Sequence, residues 1–187
     1  MAKFVRTMGI EGGERIIDLG GTAAFWSDCP YELNVTVLNL PGQTGAVPKN
    51  SRHRIDLIEG DACCVDTVDD ASFDIAFSNS VIEHVGASEK QMQFAREARR
   101  LGRRYWVQTP SIWFPIEAHT HMPFWWFYPK RMQDWYKARW ADKLPAWCDM
   151  VKGTTVISRL ELQNLLPGSN IWTERVMGIA KSYVAYR

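Results

Sequence analysis

The sequence predicts an α/β fold, a three-layer sandwich built on a mainly parallel sheet of seven strands. Short apolar or β-branched runs at Arg15–Leu19, Asn34–Leu40, Ile55–Glu59, Ser72–Ser78 and Arg104–Thr109 alternate with helical or loop stretches. That rhythm places parallel strands in one sheet with helices on both faces. Two last runs, Ile171–Val176 and Lys181–Tyr186, flank Met177–Ala180 with no room for a crossover helix, so they form an antiparallel hairpin. The glycine pair Gly20-Gly21 follows the first strand at Asp18. In open sheets of this kind, the turn after the first strand is where the backbone comes closest to a nucleotide-like ligand.

Taken in order, residues 1–14 read as a lead-in. Thr22 or Ser27 is placed to cap a short helix that Pro30 stops. Pro41-Gly42 ends the second strand, and 41–53 is a polar loop. Gly60-Asp61 ends the third, with a short helix expected near 62–70. Ser88 opens a helix to Leu101 that stops at Gly102, and Pro110 ends the fifth strand. Residues 110–150 break the rhythm with an aromatic loop and a helix from about Lys130 to Ala141. Ser158–Leu166 resumes a helix, stopped by Pro167-Gly168. The chain reads as one domain over 1–187, with an aromatic, lid-like insertion at about 110–150.

The 187 residues are 46% hydrophobic and 23% charged, the balance of a globular chain with a sizeable core. A net charge of +1 gives no field that would draw nucleic acid or an anionic membrane, so neither is an expected partner. The basic run Arg96, Arg99, Arg100, Arg103 and Arg104 reads as a solvated helix face. Cys29, Cys63, Cys64 and Cys148 show no CxxC spacing and are expected to be reduced thiols, which points to the cytoplasm. No apolar run approaches a membrane span, and MAKFVRTMG lacks the apolar core of a leader peptide. Nine tryptophans are unusual, and most lie between Trp106 and Trp147.

Polar groups stand directly after the apolar strands, at Asp18–Thr22, Asn39, Asp61 and Ser78-Asn79. A glycine turn lets the chain pass close to a ligand, and a carboxylate and an amide can hydrogen-bond a ribose and a base edge. The pieces DLGGT, NL, EGDA and SFDIAFSNSVIEHV resemble the class I S-adenosylmethionine-dependent methyltransferases of the small-molecule type, over roughly Arg15–Thr109. The resemblance implies a Rossmann-like sheet, S-adenosyl-L-methionine as cofactor, and methyl transfer to an oxygen or nitrogen of a small molecule. It also implies a cofactor site at Asp18, Gly20, Gly21, Thr22, Asn39, Asp61, Ala62, Asn79 and Ser80. Gly20 and its neighbours would approach the methionine part, Asn39 the ribose, Asp61-Ala62 the adenine edge, and Asn79-Ser80 the sulfonium and substrate entrance. The family pattern Asp-x-Gly-x-Gly-x-Gly is altered: Thr22 and Ala24 stand at the second and third glycine positions, and Asn39 where most relatives place an acid. The dinucleotide pattern G-x-G-x-x-G fits less well, with Thr22 and Phe25 in glycine positions.

For an acceptor hydroxyl a base helps, and His84, His119 and His121 are the candidates. Glu83-His84 also reads as a hydrogen-bonded brace of the turn after the fourth strand. Glu117, His119 and His121 alternate, so in extended chain they share one side. They fit a substrate-binding or basic group, a loop lock, or less well a metal tripod; no metal is expected. The cluster Phe114, Phe124, Trp125, Trp126, Phe127 and Tyr128 reads as a lid over the strand ends, or as packing or a homodimer surface. A non-catalytic relative that binds a partner through this surface is the alternative function.

Overall fold

A computed structural model of the chain describes residues 1–115 and 122–187, apart from the side chains at 146, 147, 150 and 152. Its centre is a sheet of seven strands: β1 Arg15–Leu19, β2 Asn34–Asn39, β3 Arg54–Glu59, β4 Phe73–Asn79, β5 Gly102–Pro110, β6 Asn170–Val176 and β7 Ile179–Tyr186. The spatial order is β3-β2-β1-β4-β5-β7-β6. β1 lies between β2 and β4, parallel to both, and the parallel run continues to β3 on one side and β5 on the other. β7 enters antiparallel between β5 and β6. The predicted fold class holds, hairpin included. Its turn is tighter than expected: Met177 and Gly178 carry φ of 50° and 82°, a two-residue turn with both residues left-handed, which suits the twist of the flanking strands.

The two faces of the sheet are covered differently. On one, α2 (Ser88–Leu101) and α5 (Arg159–Leu165) bury Phe94, Ala95, Ala98, Leu101 and Leu162 against Ile17, Leu19, Ala76 and Val107. Ser158 caps α5 in a reciprocal box: its hydroxyl accepts from Glu161 N, and the Glu161 carboxylate accepts from Ser158 N at 2.7 Å. On the other face lie α1 (Ala2–Met8) and a 3₁₀ turn, Ala23–Asp28, which bring Phe4 and Trp26 onto Ile16, Phe77 and Trp106. Two further helices, α3 (Lys130–Trp140) and α4 (Pro145–Gly153), belong to the insertion.

Several expectations are corrected. The lead-in contains α1, which Gly9 ends in the left-handed conformation at φ 60°. The short helix expected after Thr22 is present as a 3₁₀ turn, but Thr22 makes no side-chain capping bond. Residues 62–70 form turns, not a helix. Arg100 takes their carbonyls instead, donating to Val65 O and Val68 O at 2.7 Å while it pairs with Glu97 and Asp70 at 2.8 Å. Arg100 is therefore a structural clamp and not part of a solvated basic face. Arg104 likewise donates to Met8 O. Gly102 ends α2 in extended conformation, φ −108°, because it is already the first residue of β5. A Cβ there would fall 2.3 Å from Ala76 N, so the glycine serves strand contact.

Candidate active site

The glycine turn is held from three sides. Gly20 has φ 81°, and a Cβ on it would fall 2.6 Å from Val81 Cγ1; its N–H donates to Leu38 O at 2.8 Å. Beneath Gly21 lies the Asp18 carboxylate, so close that a Cβ on Gly21 would fall 1.9 Å from Asp18 Oδ2. From the next strand Asn39 Nδ2 donates to Gly21 O at 2.9 Å. A carboxylate at position 39 would have no proton to give that carbonyl, so the contact calls for the amide. The Asn39 amide oxygen is the group it can still offer a hydroxyl.

Asp18 is fully buried, and burial pushes its pKa up to about 7, against the lowering effect of a 2.8 Å hydrogen bond from Trp26 Nε1 to Oδ2. Its other oxygen, Oδ1, has no hydrogen-bond partner among the described residues. The carboxylate under Gly21 and the Val81 side chain beside Gly20 leave no room for a Cβ at either position, which is why the turn takes glycine twice. Asp61 follows β3. It accepts from Cys63 N at 2.8 Å and from Lys90 Nζ at 3.2 Å, and the Cys63 N–H leads the effects that hold its carboxyl below the usual range. Ala62 packs against the core beside it. Burial, reinforced by Asp61, pushes the Cys63 thiol up to about 11.

Asn79 and Ser80 stand on the other side of the glycine turn, at the end of β4. Asn79 is exposed; Ser80 has φ 59°, and its hydroxyl donates to Gln108 Oε1 at 2.9 Å. Both line a cavity of about 590 Å³ that runs from these strand ends over β5, β7 and β6. Its walls mix rings (Phe25, Phe77, Trp106, Phe114, Trp126, Trp172) with polar groups such as Glu83, Thr109 and Ser111. Two residues of the aromatic insertion, Phe114 and Trp126, thus face the cavity, while Trp113, Phe124 and Phe127 are more than half exposed.

The nine predicted cofactor residues thus fall into three groups: Asp18, Gly20, Gly21, Thr22 and Asn39 at the turn, Asp61 and Ala62 beyond it, and Asn79 and Ser80 at the cavity. His84 is half-buried, its Nδ1 lies 3.2 Å from Thr154 Oγ1, and it is not among the residues that line the cavity. Glu83 is. Its carboxylate is buried and accepts from Thr109 Oγ1 at 3.1 Å, while Thr155 N donates to its backbone carbonyl at 2.7 Å. The strand period hides such a residue: Glu83 lies in the turn after β4, where only the fold sets direction. Glu117, His119 and His121 lie outside the described residues. Among the described residues no group of three or more His, Cys, Asp or Glu is placed to hold a metal, and no helix is long and apolar enough to cross a membrane.

Comparison with known proteins adds a partial family match and a shared fold. Residues 20–104 match a family model described as a methyltransferase domain. The sheet order and its antiparallel hairpin are those of the Rossmann-like fold that such domains share. The chain's sheet is similar to that of Haemonchus contortus phosphoethanolamine N-methyltransferase 2, solved with S-adenosyl-L-methionine (TM-score 0.60, 16% identity, 92% of this chain and 37% of that one). A methyltransferase from Aquifex aeolicus gives a TM-score of 0.56 at 11% identity, over 99% of this chain and 87% of that one. One from Methanosarcina mazei gives 0.54 at 12%, over 97% and 95%. The chain therefore spans little more than a third of the length of the Haemonchus enzyme. No curated protein matches it.

Proposed function

We propose that this chain transfers a methyl group from S-adenosylmethionine to an oxygen or nitrogen of a small molecule held in the 590 Å³ cavity. The observation that carries the reading is the position of Asn79 and Ser80, which end the strand beside the glycine turn and line the cavity. Asp18, Gly20, Gly21 and Thr22 hold the methionine part of the cofactor, Asn39 the ribose, and Asp61 and Ala62 the adenine. The bound cofactor supplies an electrophilic methyl group on a sulfonium, and transfer to a nucleophile is an in-line displacement. The protein's share is alignment in a pocket shielded from water. Phe77, Trp106, Phe114 and Trp126 supply the shielding. A proton on the acceptor leaves to a base drawn from Glu83, His84, His119 and His121.

Titration calorimetry with S-adenosylhomocysteine tests the cofactor half, and binding in the micromolar range is expected. No heat at high concentration supports the alternative, a binding module on the same fold. A thermal-shift screen of small amines, phenols and sugars with S-adenosylhomocysteine present seeks the acceptor. Turnover at saturating cofactor in Glu83→Gln, His84→Gln, His119→Gln and His121→Gln then tests the base. Unchanged rates in all four remove it.

A further inference from the structure

Every exposed tryptophan and phenylalanine among the described residues lies in the insertion, at Trp113, Phe124, Phe127, Trp135 and Trp140. Trp113 is 61% exposed and Trp135 57%. The rings are linked rather than scattered. Trp113 meets Phe127 at 5.6 Å between centroids, and Phe127 meets Phe124 at 6.5 Å. Trp135 reaches the same turn through Tyr136, which lies 4.9 Å from it and 6.3 Å from Trp125. Phe124 carries its exposed ring from a left-handed backbone, φ 53°, which residues with a side chain rarely adopt. α3 has no buried side chain along its 11 residues. A helix of that length draws its stability mainly from an apolar face set against a partner, and little of that comes from within the chain. Trp113 and Phe127 also stand next in sequence to Phe114 and Trp126, which line the cavity.

The charge of this surface decides what covers it. Between residues 122 and 145, Lys130, Arg131, Lys137, Arg139 and Lys143 outnumber Asp134 and Asp142, an excess that the whole-chain charge of +1 conceals. Arg131, Trp135 and Arg139 follow at four-residue spacing and so share one stripe of α3. Arg139 lies over the Trp135 ring at 5.7 Å, and Lys143 over Trp140 at 5.6 Å, so rings and cations are presented together. Tryptophan beside lysine and arginine suits lipid headgroups, where a ring enters the apolar boundary and a cation meets an anionic group. A protein partner fits less well, because lysine is depleted at the cores of protein interfaces. A single-stranded nucleic acid would stack on ring faces, and the chain's own cations take one face of Trp135 and one of Trp140. We propose that this face of the insertion docks on an anionic lipid surface, with Trp113, Phe127 and Trp135 entering the headgroup layer and Arg131, Arg139 and Lys143 meeting its charges. The proposal holds whether or not the cavity takes a methyl acceptor.

Co-sedimentation of the full chain with vesicles tests this. Wild type binds vesicles of phosphatidylcholine mixed with phosphatidylserine, less tightly as salt is raised, and binds phosphatidylcholine alone at least about tenfold more weakly. In Arg131→Gln/Arg139→Gln the partition onto mixed vesicles falls about twentyfold, the effect of two cations at a charged surface. Trp135→Ser lowers it about tenfold through the lost ring burial. These positions are exposed, so Tm stays within about 2 °C of wild type. Met177→Ser removes an apolar side chain that is 95% exposed at the β6–β7 turn, outside the patch, and leaves the partition unchanged. No binding of wild type to mixed vesicles, or an equal loss in Met177→Ser, overturns the proposal. Wild type that ignores vesicles but forms a dimer that Trp135→Ser dissociates gives the face to a second copy, and overturns it too. Binding to a single-stranded oligonucleotide in place of vesicles does the same in favour of nucleic acid.

Discussion

The two faces of the sheet solve the same burial problem in opposite ways. On the face under α2 and α5, apolar side chains recur at helical spacing: Phe94, Ala95, Ala98 and Leu101 along one helix, Leu162 along the other. The opposite face has a helix of seven residues and a 3₁₀ turn. There the area comes from large rings, with Phe4 in edge contact with Phe77 at 5.0 Å and with Trp106 at 5.5 Å. Rings on short segments fill space less evenly than helices, and the cavity opens over this same face. Each face also buries a carboxylate. Glu97, at the α2 edge, meets Arg100 at 2.8 Å and Val65 N at 3.0 Å. Asp18, under the aromatic face, meets one indole N–H. The helical face pairs its carboxylate fully, whereas the aromatic face leaves Asp18 Oδ1 without a partner among the described residues and borders the cavity.

The contrast is sharpest in pH dependence. The pKa of Asp18, raised to about 7 from 3.8 by burial, means that the unfolded chain gives up this proton at lower pH than the folded one. Its contribution to stability is therefore full below about pH 4, is lost as pH rises to about 7, and is constant above that. The loss is up to about 4 kcal/mol. Urea denaturation of wild type and Asp18→Asn across pH 4–8 measures it, since other groups cancel in the difference. A flat difference would mean that the aromatic face satisfies its carboxylate as well as the helical face does.

On the helical face, Phe94→Ala should cost about 3–4 kcal/mol by emptying a fully buried site. The Kd for S-adenosylhomocysteine should stay unchanged, because Phe94 is not one of the proposed cofactor residues; a large rise would show that the core it shares with Ala62 and Val81 transmits the loss. Arg100→Ala should cost about 3 kcal/mol in chemical denaturation, because it strands Glu97 and frees the carbonyls of Val65 and Val68. Hydrogen exchange should rise in 62–71 and not at the glycine turn. The smallest effect is at Thr22, which makes no capping bond: Thr22→Gly should change stability by less than about 1 kcal/mol and leave cofactor affinity equal or tighter. A tenfold weaker Kd would make its hydroxyl a ligand.

Much of this molecule is legible in the sequence because it depends on short-range order. Four strands of the parallel run are short apolar stretches that stop at or just before Gly20, Asn39, Gly60 and Asn79, which is where the cofactor site is proposed. α2 is read from Ser88 to Leu101 without error. α1 and α4 are not, because seven or nine residues hold too few turns for a period to show. Gly9 after Phe4 and Val5, and Pro145 at the start of α4, were the local signals present. Residues 62–70 look weakly helical, yet a single arginine from α2 takes their carbonyls and decides against the helix.

The sequence by itself determined the sheet and the glycine turn, since hydrophobic period and turn chemistry act between neighbours in the chain. Tertiary structure alone decided which groups meet. It brought Trp26 to Asp18, Asn39 to Gly21, and Glu83 rather than His84 to the cavity wall. It also built the aromatic face from residues 4, 26, 77 and 106, which no local pattern relates. The reason is physical: a hydrogen bond or a ring contact depends on distance in space, and that distance is set only when the strands between have taken their places.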